Sequence, residues 1–251
     1  MLFEAKTYRN WVPAGRFRSF EIQSGDINLW VAVGVEVFQP EMEMIAKDKL
    51  NEQLAGLDTY LAEDVFFRKS LKPHAVPVSA PALVQTMAKA GDLAAVGPMA
   101  ARAAALCELV ALELLNKFQV EGMELITECG GDLFLKLNEA ITLPLLAGEA
   151  DISGLMGIEI LPEQTPLAVA SGSGSKGKPI SHGKADAVLV VAKQGAVAGA
   201  FAVGLGNLIK SPADVDKVLK RTEVIPEIEG AILILDDQIG LRGDFELTML
   251  T

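Results

Sequence analysis

The apolar runs of this chain arrive in adjacent pairs separated by turn residues, and that pairing constrains the fold more than any other feature. Ile27, Leu29, Val31 and Val33 alternate with Asn28, Trp30 and Ala32, which is strand period, and Ser24-Gly25-Asp26 supplies a turn before them. Phe17 to Val35 therefore reads as a β-hairpin. Met123 to Thr127 and Asp132 to Leu137 form a second pair joined through Gly130-Gly131, and short strands follow near 141–147, 154–161 and 165–170. Ala185 to Ala192 reads as a buried strand, and Ala231 to Leu235 with Phe245 to Met249 as a closing hairpin.

Helices separate these pairs. Pro40 opens one that runs to about Glu63, with Ala46, Leu50, Leu54, Leu57 and Leu61 on a single face. Phe66 to Val78, broken by Pro73 and Pro77, reads as irregular. Ser79 as N-cap with Pro81 in the first turn starts a helix ending near Gly91, and Pro98 starts another reaching about Phe118. The second is alanine-rich as far as Ala105, which predicts something large packed close to its backbone. A small-residue helix spans 196–209, and Ser211-Pro212-Ala213-Asp214 is a capping-box-like start for a last helix to about Thr222. Hairpins outnumber βαβ units, so the chain reads as α+β with a largely antiparallel sheet. Its 251 residues suit one domain, or two intimately packed lobes.

Composition removes several functions. Half of the residues are hydrophobic, which excludes a disordered chain. A net charge of −11 leaves no basic stripe for a phosphate backbone, so nucleic acid is not expected as a partner. The longest uncharged apolar stretch, Gln194 to Ile209, is short of the roughly 20 residues of a membrane span. Cys107 and Cys129 match neither a disulfide framework nor a zinc motif, and the N-terminus has no signal-peptide pattern, so a cytoplasmic protein is expected.

Charge placement says more than net charge. Between Gln164 and Ala185 there is no acid but there are Lys176, Lys178 and Lys184; between Val65 and Gly91 there is again no acid but there are Arg68, Lys69, Lys72, Lys89 and His74. If folding joined these islands they would form a pocket for an anionic small molecule; otherwise they are solvated surface lysines. The loop Ser171-Gly-Ser-Gly-Ser-Lys-Gly-Lys-Pro-Ile-Ser-His-Gly183 has P-loop spacing at Gly172, Gly177 and Lys178, yet Pro179 stands where a magnesium-binding hydroxyl belongs and no helix follows. Its Rossmann-like glycine spacing fails for the same reason. What survives is an anion nest of glycine amides, serine hydroxyls and lysines, with Ser173, Gly174, Ser175, Lys176, Lys178 and His182 as candidate ligand contacts. A flexible linker is the plainer alternative. Gly130, Gly131 and Asp132 are further candidates: paired glycines permit a tight reversal or close approach of a ligand, and Asp132 offers an acceptor, although by residue type alone an ordinary turn is the favoured reading. Asp186, in a buried strand, needs a partner such as Lys184 or a loop amide. No Ser/His/Asp set is completed by His74 or His182. A reactive Cys129 would need a cationic neighbour; an inert buried thiol is the simpler reading.

Taken in order, Val96-Gly-Pro-Met-Ala-Ala-Arg102, Glu128-Cys-Gly-Gly-Asp132, the Ser/Gly loop ending in His182-Gly-Lys-Ala-Asp-Ala187, and Gly206-Asn207 resemble the uncharacterised branch of the ApbE-like superfamily, whose best-known members are FAD:protein FMN transferases. The similarity runs from about Tyr8-Arg9 to Phe245. It implies an α+β, T-fold-related architecture and a flavin-type site for FAD or FMN, lined by the 171–183 loop with Gly130, Gly131 and Asp132. The branch has Asn where this chain has Cys129, and a His where Lys178 stands. Its late helix carries Asp and Thr matching the transferases' magnesium ligands; the aligned residues here, Gly199 and Val203, have no side-chain oxygen, so the resemblance implies a degenerate metal site. Three functions stay open at this point: a binder of a phosphate-bearing molecule, an active transferase with a rearranged metal site, and a non-catalytic assembly or interaction protein. Self-association into a homo-oligomer is left open.

Overall fold

The computed structural model describes residues 7–147, 153–172 and 183–250. The first hairpin consists of β1 (Phe17–Ser24) and β2 (Ile27–Gly34), in antiparallel register from Phe17–Gly34 to Ser24–Ile27. Helix α1 (Glu41–Glu63) buries the expected face, Ala46, Leu50, Leu54, Leu57 and Leu61. The stretch read as irregular begins instead with a short helix, α2 (Val65–Lys69), because the Asp64 carboxylate accepts the backbone N–H groups of Phe66 and Phe67 and so caps it. Helix α3 (Ala82–Leu93) starts from Pro81 rather than Ser79, which makes Pro81 itself the cap residue. After a 3-10 turn at Pro98–Ala101 comes α4 (Arg102–Phe118).

Five strands follow: β3 (Leu125–Cys129), β4 (Asp132–Lys136), β5 (Ile141–Pro144), β6 (Met156–Ile160) and β7 (Leu167–Gly172). Then come β8 (Ala187–Ala192), α5 (Gly195–Leu208) and α6 (Val215–Thr222), with Ser211 and Asp214 forming the capping box ahead of α6. The C-terminal pairing differs from expectation. β9 (Ile228–Leu235) pairs with β10 (Gln238–Arg242), while β11 (Leu247–Met249) joins β6 in a different sheet. Asp236, at φ +55, turns the chain tightly enough for Gln238 to pair at once.

The main sheet runs β1-β2-β3-β4-β7-β8-β9-β10, and the small one β11-β6-β5, with every pair antiparallel. Helices cover one face of the main sheet and the small sheet covers the other. Leu29, Val31 and Val33 point into the helical core, while Trp30 and Ala32 point into the inter-sheet core. Val188 and Val190 likewise face the helices, and Leu189 and Val191 the small sheet. Burial on both faces explains why β8 and β9 read as continuous apolar runs rather than alternating ones.

The neighbour of the alanine-rich α4 is not large. It is the glycine-rich α5, and the two helices approach backbone to backbone. A Cβ on Gly195 would overlap the Ala104 carbonyl, and one on Gly199 would lie 3.0 Å from the Ala100 oxygen and 3.2 Å from the Ala104 Cβ. Small residues on both helices are what permit this closeness. Among the described residues no single helix is long and apolar enough to cross a membrane.

Candidate functional site

The motifs scattered along the sequence meet at one end of the main sheet. Antiparallel pairing places the end of β3 opposite the start of β4 (Cys129 with Asp132), the start of β2 beside Cys129 (through Leu29), and the end of β7 beside the start of β8 (Gly172 with Val188). The chain enters segment 173–182 at Gly172, where a Cβ would lie 3.0 Å from the Ala202 carbonyl oxygen of α5. It emerges at Gly183, where a Cβ would overlap the Gly206 carbonyl. Both ends of that segment thus rest against the C-terminal half of α5. The candidates Ser173, Gly174, Ser175, Lys176, Lys178 and His182 lie outside the described residues.

The glycine pair forms the turn between β3 and β4, with φ +61 at Gly130 and +93 at Gly131. L-residues avoid this region because their Cβ crowds the carbonyl, so both positions favour glycine. Beside Gly130 the space is open: an added Cβ would meet nothing within 4 Å, whereas at Gly131 it would meet the Ser171 Oγ at 2.9 Å. Ser171 Oγ donates to the Gly131 carbonyl at 3.1 Å, and the Ser171 N–H donates to Asp132 Oδ1 at 3.1 Å. Asp132 is buried, and in this arrangement it ties the mouth of the 171–183 segment to the glycine turn.

Beneath the turn lies an ion pair that the sequence reading did not assign to the site. Glu128, with no solvent exposure, accepts the Gly131 N–H through Oε1 at 2.7 Å and Arg9 Nε through Oε2 at 2.6 Å. Arg9 also donates to Asn28 Oδ1 at 2.8 Å, and its Nη1 lies 3.1 Å from a Glu21 oxygen without hydrogen-bond alignment. Burial pushes the Glu128 carboxyl above its ordinary range, against the opposing pull of the Gly131 amide and Arg9. Tyr8 is buried next to this pair. Its phenol is held well above its usual value, first by desolvation and then by the negative fields of Asp132 and Glu128.

At the opposite edge of the turn, Arg102 at the start of α4 makes two 2.7 Å bonds to the Asp26 carboxylate in the first hairpin turn. Arg102 is held above its ordinary value chiefly by that bonding, against burial. The Cys129 thiol is buried. Asp186 is half-buried just before β8, not within it; its partner is the loop amide of Asp236, at 2.8 Å to Oδ2. The sequence signal for Glu128 was a charge inside an apolar strand, which requires a partner. Its partner Arg9 lies 119 positions away, and no local pattern links the two.

At the magnesium positions implied by resemblance, Gly199 faces the α4 backbone and Val203 packs half-buried against the helical core. Neither side chain offers an oxygen to a metal ion, and a Cβ at 199 would press on the Ala100 oxygen at 3.0 Å. Among the described residues no cluster of three or more His, Cys, Asp or Glu is placed to hold a metal ion.

An antiparallel sheet sandwiched between helices and a smaller sheet, with its glycine turn and loop mouth at one end, is an ApbE-like fold. The apo flavinyl transferase ApbE of Pseudomonas stutzeri matches with TM-score 0.58 at 15% identity, over 93% of this chain and 94% of that one. The ApbE protein of Thermotoga maritima matches with TM-score 0.55 at 10% identity, over 92% and 96%. The family model described as AbpE bacteria matches residues 9–241, and the chain belongs to that family. It is similar to a UPF0280 protein of Methanococcus aeolicus, 34% identical over 79% of this chain and 81% of the relative. A UPF0280 protein of Methanocella arvoryzae is 35% identical over 79% and 80%.

Proposed function

We propose that this protein binds a phosphate-bearing small molecule of the flavin or nucleotide type, FAD and FMN being the first candidates, at the Gly130–Gly131 turn and the mouth of the 171–183 segment. In this reading the site works without a magnesium ion held at 199 and 203, where neither residue has a side-chain oxygen. The observation that carries the reading is the turn itself: two positive-φ glycines, open space beside Gly130, and a rigid support of Arg9, Glu128, Asp132 and Ser171 beneath. A turn serving only to reverse the chain does not need a fully buried carboxylate and its arginine behind it. When bound, a flavin would supply redox chemistry at its ring system; the residues of this chain, Glu128 through the Gly131 N–H and Asp132 through the Ser171 N–H, hold the turn and the segment mouth in place. The packing at Gly199 argues against a metal clamp on a pyrophosphate, which leaves Lys176 and Lys178 as the counter-charges proposed here.

Thermal-shift titration of the ligand-free protein with FAD, FMN, ATP and inorganic phosphate tests this. A ligand that binds the native state alone raises stability by RT ln(1 + [L]/Kd). Lys178→Glu should weaken an anionic ligand more than about tenfold, or 1.4 kcal/mol. An unchanged affinity removes Lys178 from the site.

A further inference from the structure

The Arg102–Asp26 pair stands at the same end of the main sheet as the glycine turn. β2 meets β3 at Leu29–Cys129, so Asp26, in the hairpin turn just before β2, projects past the end of β3 beside Gly130 and Gly131. Helix α4 reaches this end from the helical face. Its Cys107 Sγ donates to the Asp132 carbonyl at 3.4 Å, and the Cys107 carbonyl accepts Thr127 Oγ1 at 3.0 Å. A short connection leads from the far end of α4 into the start of β3, so the helix N-terminus is the end nearer the turn. Arg102 lies roughly 7.5 Å from Cys107 along the axis in that direction, which brings it level with the turn. Just before it, Ala100 and Ala101 pack on Gly199 of α5, whose later residues Ala202 and Gly206 meet the two ends of segment 173–182.

Arg102 has the form of an anion-binding group. Its side chain is only 18% exposed, both Nη atoms bond to the Asp26 carboxylate, and its Nε is buried without a hydrogen-bond partner among the described residues. The Asp26 side chain, by contrast, is 74% exposed. A fixed, mostly buried arginine is thus neutralised by a carboxylate that stands in solvent on a hairpin turn. As a tie between α4 and the first hairpin such a pair contributes little, because water screens the exposed partner. As a binding group the guanidinium is well matched: phosphate takes its fork in two parallel bonds just as a carboxylate does.

We propose that Arg102 holds the phosphate of the ligand and that Asp26 is an internal competitor, which the phosphate displaces. This rests on the phosphate-binding reading of the glycine-turn site and adds its anion subsite and the contact that restrains it. Calorimetric titration of FMN and of phosphate-free riboflavin into the parent, Asp26→Asn and Arg102→Lys tests it, with the Arg102 Nε–H resonance of the parent followed by NMR as inorganic phosphate is added. FMN should bind about fivefold or more tighter to Asp26→Asn and about tenfold or more weaker to Arg102→Lys, with riboflavin changed in neither. Phosphate should shift the resonance. FMN affinity unchanged in both variants, or riboflavin changing in step with FMN, would overturn the role of Arg102 and leave the flavin reading standing. A phosphate-shifted resonance with no flavin bound to any of the three proteins would uphold the anion subsite and remove the flavin reading. The NMR arm uses the parent alone, so a resonance unmoved by high-millimolar phosphate overturns the proposal however the variants fold.

Discussion

Alanine at the two glycines of the β3–β4 turn should not cost the same, and the difference should vanish when Ser171 is removed. At Gly130, φ +61 with open space around the missing Cβ, alanine meets only the left-handed backbone penalty of about 1–2 kcal/mol. At Gly131, φ +93, alanine meets a penalty of the same order and also drives its Cβ to 2.9 Å from Ser171 Oγ. The hydroxyl can swing away, but doing so gives up its 3.1 Å bond to the Gly131 carbonyl, worth about 0.5–1.5 kcal/mol. Gly131→Ala should therefore be about 1 kcal/mol worse than Gly130→Ala. In a Ser171→Ala background there is neither hydroxyl nor bond, and the two substitutions should cost equally. Urea unfolding with linear extrapolation reads all five proteins and the parent, provided the m-value is constant. If the gap between the two glycines persists without Ser171, the coupling through its hydroxyl is wrong.

Three further outcomes follow from the geometry. Arg9→Met leaves Glu128 buried without its cation and should lower unfolding free energy by about 3–5 kcal/mol in denaturant titration, while Arg9→Met with Glu128→Met should recover most of that loss. Gly199→Asp, offered as a restored metal ligand, should instead destabilise by at least the ~1–3 kcal/mol of an overpacked core, and millimolar magnesium should not raise its melting temperature. Burial lifts the Glu108 carboxyl above its ordinary value of 4.5, against the Gly195 amide bonded to it at 2.7 Å. The folded chain then holds a proton that the unfolded chain has released, so this contribution to stability is full below pH 4.5 and is lost as pH rises through the raised value. Glu108→Gln should flatten that decline in a pH series of urea midpoints; parallel curves for parent and variant would count against it.

Most of the architecture was legible because each strand carries its own period and its own turn. The hairpin at Gly25, the strand pair at Gly130-Gly131 and the capping box at Ser211 are local devices, and local devices are written in contiguous residues. The C-terminal pairing was not legible. Leu247 to Met249 satisfies the pattern of a hairpin partner for β9, and only the competition between Gln238–Arg242 and the edge of the small sheet decides where it goes. The site was half-visible for the same reason. Gly130, Gly131 and Asp132 announce a turn, but Ser171 reaches it through sheet register and Arg9 from the N-terminal 3-10 turn Thr7–Trp11, both from far along the chain. The small residues of α4 were read correctly as a close-packing surface and assigned the wrong neighbour, since alanine shows that something approaches closely without showing its size.

The central claim is that the glycine-turn end of the sheet binds a phosphate-bearing flavin or nucleotide without help from magnesium. Isothermal titration of FAD, FMN and ATP into the intact protein, each with EDTA and again with millimolar magnesium, tests it most directly. The account predicts one ligand binding at one site per chain, with the same affinity in both conditions, and loss of that binding in Gly131→Val protein that remains folded. Binding that appears only when magnesium is present, or tight binding that survives Gly131→Val, would contradict it.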